Sequence, residues 1–375
     1  MKIVIAPDSF KGSLTATEAA DAIEIGFRAV YPDAEYVKVP MADGGEGTVQ
    51  SLVDATSGTI INQKVEGPMG DMVAGFFGIL GDSQTAVIEM AAASGIHLVT
   101  PNEQNIYLAS SFGTGQLIIA ALDHGCDKLI VGLGGSATND GGMGMMKALG
   151  AQYFDQDGVQ LAPDVRALLQ LARIDLRHLD PRLDKTEIVV ACDVDNPLCG
   201  KNGASRIFGP QKGATGDDIV VLDQALAHYG DILATNTGKN IAAEPGAGAA
   251  GGLGAAFIGL IDAGLKPGID LVIEIVELAK SLVDADFVIT GEGRIDRQTI
   301  HGKTPVGVAK LAKSHNLPVI CIAGLVEDGA DIIHQSGIDE IYSVIEGDYD
   351  LTEDLIEAGP KLTQAAQKIA KSLNL

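Results

Sequence analysis

A short apolar strand running into a capped helix opens this chain, and the same alternation returns at its far end. Residues 2–6 read as a buried strand. Residues 15–30 read as a helix, with Thr15 and Glu18 at capping-box spacing and Ile23, Phe27 and Val30 recurring at i, i+4 and i+7. A strand at 35–39 and a helix at 46–56 follow. Strands at 287–290, 318–322 and 340–344, each with a helical stretch after it, restore the pattern. Such alternation calls for parallel strands joined by helical crossovers. The expected fold class is therefore α/β: a doubly wound parallel-sheet domain made of both chain ends, 1–60 plus 285–375 (Rossmann- or flavodoxin-like), with a second mixed α/β domain inserted at 61–284.

The insertion begins differently. Strands at 59–65, 73–79 and 85–90 lie close together in sequence, as in an antiparallel sheet. A helix at 116–123, a strand at 128–131, a Gly-rich turn, a helix at 143–149, strands at 152–154 and 187–191 and mainly helical segments follow. Two domains suit a length of 375 residues, because single cores stop growing near ~250–300 residues.

Charge narrows the partners. Lys and Arg number 26 against 50 Asp and Glu, a net −24, so phosphate backbones and anionic membranes are repelled and no nucleic-acid or membrane partner is expected. Any local cluster of cations is correspondingly informative. Cys126, Cys192, Cys199 and Cys321 show no metal spacing and read as reduced thiols of a cytoplasmic protein. The N-terminal apolar run is too short for a secretory signal.

Ligands of parallel α/β sheets bind at the carboxyl ends of the strands. Three segments there are polar and Gly-containing: Asp8-Ser-Phe-Lys-Gly-Ser13, Asp43-Gly-Gly-Glu-Gly47 and Thr290-Gly-Glu-Gly-Arg-Ile-Asp296. They supply the carboxylates Asp8, Asp43 and Asp296 and the cations Lys11 and Arg294. Each is expected to be a loop. Within the insertion, Gly132-Leu-Gly-Gly-Ser-Ala-Thr-Asn-Asp-Gly-Gly142 follows a buried strand; its amides and the hydroxyls of Ser136 and Thr138 suit an anion. Ala191-Cys-Asp-Val-Asp-Asn-Pro197 offers Asp193, Asp195 and Asn196 as oxygen ligands for Mg²⁺, or as an Asx-type turn. Arg206 and Lys212 concentrate positive charge nearby, either for an anionic ligand or as solvated surface. The Gly/Ala run 246–254 reads as close helix packing or as a helix N-terminus facing phosphate.

Two patterns stop short of their motifs. Gly132, Gly134 and Ala137 fit G-x-G-x-x-A, but the run 138–142 delays the helix that a dinucleotide fingerprint needs. Gly302-Lys-Thr304 lacks the earlier glycine of a Walker A loop, where Arg297 stands; Lys303 then either meets phosphate or caps the next helix. His301 is the nearest to a candidate histidine. The set of anion loops, carboxylates and few cations suits phosphoryl transfer, which needs positioning and charge neutralisation more than a covalent nucleophile. The alternatives are an NAD-dependent hydroxy-acid dehydrogenase, which lacks an uninterrupted fingerprint, and a sugar-acid binding protein, which would need an export signal.

The chain resembles the glycerate kinase type 1 family over essentially its whole length. The resemblance is carried by Ile5-Ala-Pro-Asp-Ser-Phe-Lys11, Ala42-Asp-Gly-Gly-Glu-Gly47, Ile88-Glu-Met-Ala-Ala-Ala-Ser-Gly95, the segments 132–142 and 191–197 quoted above, Phe208-Gly-Pro-Gln-Lys-Gly213, Pro245-Gly-Ala-Gly-Ala-Ala-Gly-Gly252 and Ile289-Thr-Gly-Glu-Gly-Arg-Ile-Asp296. It implies ATP-dependent phosphorylation of D-glycerate with Mg²⁺, the 2-phosphate favoured over the 3-phosphate, in a cleft between a discontinuous domain and an inserted one. By chemistry and family position, Asp8, Lys11, Asp43 and Asp193 are the catalytic candidates, with Asp43 or Asp193 accepting the hydroxyl proton or binding Mg²⁺. Ser9, Arg206, Arg294 and Asp296 are assigned to the substrate. Gly134, Gly135, Ser136, Thr138, Lys212, Gly251 and Gly252 are assigned to the ATP phosphates, and Asp193 and Asp195 to the metal. The assembly is expected to be a monomer or a homodimer. One departure is Gln116, where relatives commonly have Glu; a cation held by that Glu would lose its partner.

Overall fold

The structure is a computed structural model of the chain; it describes residues 1–100, 105–296, 299, 303–345 and 357–373. Its strands, in chain order, are β1 (Lys2–Pro7), β2 (Glu35–Lys38), β3 (Thr59–Glu66), β4 (Met72–Ile79), β5 (Thr85–Glu89), β6 (Lys128–Gly132), β7 (Gln152–Phe154), β8 (Arg173–Asp175), β9 (Glu187–Ala191), β10 (Gly264–Lys266), β11 (Phe287–Ile295), β12 (Val319–Val326) and β13 (Glu340–Ser343). The chain forms two compact units. One comprises Met1–Asp43, Gln50–Ser57 and Pro267–Leu375; the other comprises Gly44–Val49 and Gly58–Lys266.

The first unit is built on a five-stranded sheet of order β13-β12-β11-β1-β2 in which every pairing is parallel. From β1 the chain moves outward to β2, and from β11 it moves the other way to β12 and β13. The strand order therefore reverses between β1 and β11, the position where doubly wound sheets hold their ligands. Ile3, Ile5, Phe287, Ile289, Ile320 and Ile322 send their side chains into a core closed by the helices Ala16–Arg28 and Ala358–Ser372. Thr15 caps the first helix as its spacing requires, its hydroxyl accepting from the Glu18 amide while the Glu18 carboxylate accepts from the Thr15 amide. These helices touch at Gly26, where a Cβ would stand 2.5 Å from the Thr363 carbonyl oxygen.

The second unit has a six-stranded mixed sheet of order β10-β9-β6-β5-β4-β3. Pairs β5–β6, β6–β9 and β9–β10 are parallel, while β3–β4 and β4–β5 are antiparallel, as the close spacing of those strands implied. Strands β7 and β8 form a separate antiparallel ribbon. Short β8 and β10 have too few residues to show a period, and they are legible only once their partners are placed.

Two elements differ from the sequence expectation for identifiable reasons. Segment 290–296 is not a loop: β11 runs on to Ile295 because β12 stays paired with it, Arg294 opposite Leu325 and Ile295 opposite Val326, beyond the point where β1 has ended. The helix expected at 116–123 begins at Phe112, because Asp140 holds Ser111 by its amide at 2.9 Å and its hydroxyl at 2.8 Å and so fixes the turn before it. Among the described residues, no helix is long and apolar enough to cross a membrane.

Candidate active site

In the first unit the reversal between β1 and β11 is chemically equipped. Pro7 and Gly291 are register partners, and the Asp8 amide donates to the Gly291 carbonyl at 2.8 Å, so Asp8, just past the end of β1, comes beside Glu292, which is still within β11. One Asp8 oxygen accepts from the Ser9 amide at 2.6 Å and the other from the Thr304 hydroxyl at 2.5 Å. Burial, and then the charge of Asp43, push the Asp8 carboxyl up to about 6 against those two donors. Glu292 is pushed up to about 7, chiefly by burial, with the charge of Asp8 adding to it and Lys303 opposing. Lys303 lies 3.5 Å from Glu292 and 3.8 Å from Asp296, and the buried Thr299 hydroxyl donates to Glu292 at 3.2 Å. Lys11, on the tight turn 10–14, stands 3.9 Å from Asp43 and is 63% exposed. Asp8, Ser9, Lys11, Asp43, Glu292, Arg294 and Lys303 all line one pocket of about 430 Å³, which Leu325, Val344, Ile345 and Leu362 also line.

The second unit carries the loop 132–142 between β6 and the helix Met143–Ala148, so the strand does not turn directly into a helix as a dinucleotide fingerprint would. Lys212 is 3% exposed; its ammonium donates to the Ser136 hydroxyl and to the Thr138 carbonyl, both at 2.7 Å. Burial lowers it to about 7, opposed by the charge of Asp140. Asp140 is also buried. It accepts from the Ser111 amide and hydroxyl, from the Gly144 amide at 3.1 Å and from the Gly142 amide at 3.0 Å, and so anchors the end of the loop. Gly251 and Gly252 press on the loop from behind in left-handed conformations; a Cβ on Gly251 would stand 2.0 Å from the Thr138 carbonyl oxygen.

The remaining candidates are placed as follows. Gly134 and Gly135 lie in the loop beside Ser136, and Gly135 adopts φ 74°. Asp193 and Asp195 follow β9 and are exposed, and Asn196 closes its turn by donating to the Asn202 carbonyl at 2.8 Å. Arg206 pairs with Asp223 at 3.2 Å, and Arg294 pairs with Glu327. The Gln116 side-chain oxygen accepts from the Glu66 amide at 2.7 Å. That is an acceptor's task, which an amide and a carboxylate both perform. Arg297, His301 and Gly302 lie outside the described residues.

A model of the glycerate kinase family matches residues 3–374. The chain belongs to that family. It is 54% identical over 375 residues to glycerate kinase from Bacillus subtilis (strain 168), with all of this chain and 98% of the relative covered. It is 50% identical over 373 residues to glycerate 2-kinase from Escherichia coli (strain K12), with coverage of 100% and 98%. A crystal structure from Salmonella typhimurium LT2, described as glycerate kinase 2, matches with a TM-score of 0.91 at 50% identity, covering 99% of this chain and 98% of that one. A dehydrogenase is set aside by this membership.

Within this glycerate kinase fold, Glu292, Thr304 and Asp140 join the two sites without being candidates in the sequence, and Lys303, left open there between phosphate and a helix cap, meets Glu292. Glu292 was hidden by the reading of its strand as a loop. Lys303 and Thr304 had been weighed as a broken Walker pattern, whereas the fold brings Thr304 to Asp8 and Lys303 to Glu292. Asp140 sat unremarked among glycines, and a lone carboxylate in a Gly-rich loop with four donors to satisfy it is the signal that finds it.

Proposed function

We propose that this chain transfers the γ-phosphoryl group of ATP to the 2-hydroxyl of D-glycerate, giving 2-phosphoglycerate and ADP. The observation that carries the reading is the meeting of Asp8, Asp43 and Glu292 with Lys11 and Lys303 in one pocket where the strand order reverses. Glycerate presents a carboxylate and two hydroxyls, and this pocket offers lysines for the former and carboxylates for the latter. The attacking hydroxyl oxygen forms the new P–O bond as the bond to the bridging oxygen of ADP breaks. Its proton passes to the Asp8–Asp43 pair, where the Asp8 carboxyl lies near the operating pH of a general base. Lys11 and Lys303 hold the substrate carboxylate and offset charge developing on the transferred group.

The loop 134–138 with Lys212 is assigned to the donor phosphates, with Gly251 and Gly252 acting through the shape they give the loop. Among the described residues, no group of three or more His, Cys, Asp or Glu is placed to hold a metal. Mg²⁺ that travels on nucleotide phosphates needs only one or two protein carboxylates, and exposed Asp193 and Asp195 fit that demand. When bound it neutralises phosphate charge. The Escherichia coli relative's name, glycerate 2-kinase, supports the 2-position. A coupled ADP assay with D-glycerate and Mg²⁺, followed by phosphorus NMR of the product, tests this. ADP release that ignores glycerate would overturn it, and 3-phosphoglycerate would move the acceptor to the other hydroxyl.

A further inference from the structure

A second pocket, of about 460 Å³, lies wholly within the inserted unit and has no part in the chemistry above. Its volume falls in the ~300–1,000 Å³ range of small-molecule sites. Met69, Tyr107, Phe112, Met143 and Pro163 give part of its wall an aromatic and thioether character. The Tyr107 ring is fixed: its hydroxyl donates to Asp218 at 2.7 Å, and the Arg166 guanidinium covers the ring 4.7 Å from its centre. Lys147 supplies a polar handle. Its ammonium donates to the Leu161 carbonyl at 2.9 Å, which uses one of its three N–H groups, and burial lowers its pKa.

Such walls suit the face of a flat heterocycle, whose ring nitrogens or attached hydroxyls can take the remaining Lys147 donors. They do not suit a polyphosphate, because Glu66, Asp140 and Asp164 border the same space. The charged part of a nucleotide lodged here must therefore lie elsewhere, and the fold provides a place. Met69 and Ala109 line this pocket and also a small neighbouring cavity bounded by Ala137 and Lys212, on the loop assigned to phosphate. We propose that this pocket receives the purine and ribose of the phosphoryl donor, stacked against Tyr107, Phe112 and the two methionines, with its phosphates at the loop 134–138. The inference rests on the kinase reading and deepens it by locating the nucleoside end of the donor.

The chain contains no tryptophan, which makes an introduced one a background-free reporter. Leu108 lines the pocket and is 45% exposed, so Leu108→Trp places an indole at the rim without filling the core. ADP is expected to quench its emission saturably, and D-glycerate to leave it unchanged. Unchanged emission with ADP, in a variant that still forms ADP from ATP and glycerate, overturns the pocket assignment and leaves the kinase reading standing. Failure of the unaltered chain to consume ATP overturns both. Independently, Lys147→Met should raise KM for ATP about tenfold, the equivalent of one hydrogen bond, with KM for glycerate unchanged. An unchanged KM for ATP, or an equal rise in both, overturns the assignment.

Discussion

The Thr304 hydroxyl donates to the Asp8 carboxylate at 2.5 Å, joining residues 296 positions apart at the carboxyl edge of one sheet. The bond holds together the two ends of a discontinuous unit, and it does so beside the paired strands β1 and β11, from which the chain continues to opposite sides of the sheet. Asp8, Asp43 and Glu292 are gathered at that edge, and burial together with the charge of neighbouring carboxylates holds Asp8 and Glu292 well above their ordinary range. Accumulating acids at one edge lowers stability at neutral pH, which makes the arrangement measurable.

Glu292→Gln should stabilise the protein, and more so as pH rises. The folded carboxyl titrates at about 7 against an ordinary 4.5, so between those values the folded state binds the proton more tightly than the unfolded chain does. Stability therefore falls as pH climbs through that window. Glutamine removes the titration and keeps an oxygen for the Thr299 hydroxyl, though it gives up the contact with Lys303. Urea unfolding should show a relative gain for the variant of about 2 kcal/mol on going from pH 5 to pH 8, discounted from the full shift for the lost lysine contact. A difference that does not change with pH would refute it.

Lys11→Ala should impair turnover and spare the fold. The side chain is 63% exposed and its ion pair with Asp43 is long at 3.9 Å, so it contributes at most a few tenths of a kcal/mol to stability. Removing one charge-stabilising donor costs ~10²–10³ in rate. Melting temperature and kcat measured on one preparation separate the two effects. Near-normal kcat and KM would return Lys11 to the solvated surface.

Lys212→Met should destabilise the inserted unit, with a penalty that grows with pH. Folded Lys212 titrates near 7 while the unfolded side chain stays protonated to about 10, so folding releases a proton in between and stability rises with pH across that interval. Methionine forfeits this rise and leaves the Thr138 carbonyl without its donor, a loss of about 1–3 kcal/mol at pH 7. The deficit should widen by about 2 kcal/mol between pH 7 and pH 9. A constant deficit would mean that Lys212 is charged in the folded protein.

Much of the architecture is legible in the sequence, because hydrophobic periodicity and capping are local. The Thr15–Glu18 box, the alternation at both ends and the close-spaced strands β3 to β5 needed nothing beyond neighbouring residues. What escaped is what depends on distant partners. β11 outruns its apolar stretch because β12 continues beside it, and Thr304 becomes a site residue only when the chain's two ends meet. The glycines 251 and 252 illustrate the same limit. Their composition allows either close packing or an approach to phosphate, and only the fold brings the Thr138 carbonyl against Gly251.

The roles of Asp43 and Asp193 can be separated by their response to Mg²⁺ and pH. Asp193 is exposed after β9 with Asp195 two positions on, which suits a carboxylate that meets a metal–nucleotide complex. Asp43 raises Asp8 through its charge and lies 3.9 Å from Lys11, which suits proton transfer. Asp193→Asn should therefore weaken apparent Mg²⁺ affinity and recover much of its rate at high Mg²⁺. Asp43→Asn should lower kcat by ~10²–10⁴ with little recovery. Its residual activity should carry an acid limb shifted below the parent's, because the like charge that helps hold the Asp8 carboxyl near 6 is gone. Rates of both variants against Mg²⁺ and pH decide the matter. Rescue of Asp43→Asn by metal would exchange the two roles, and parental behaviour in both would place neither residue in the chemistry.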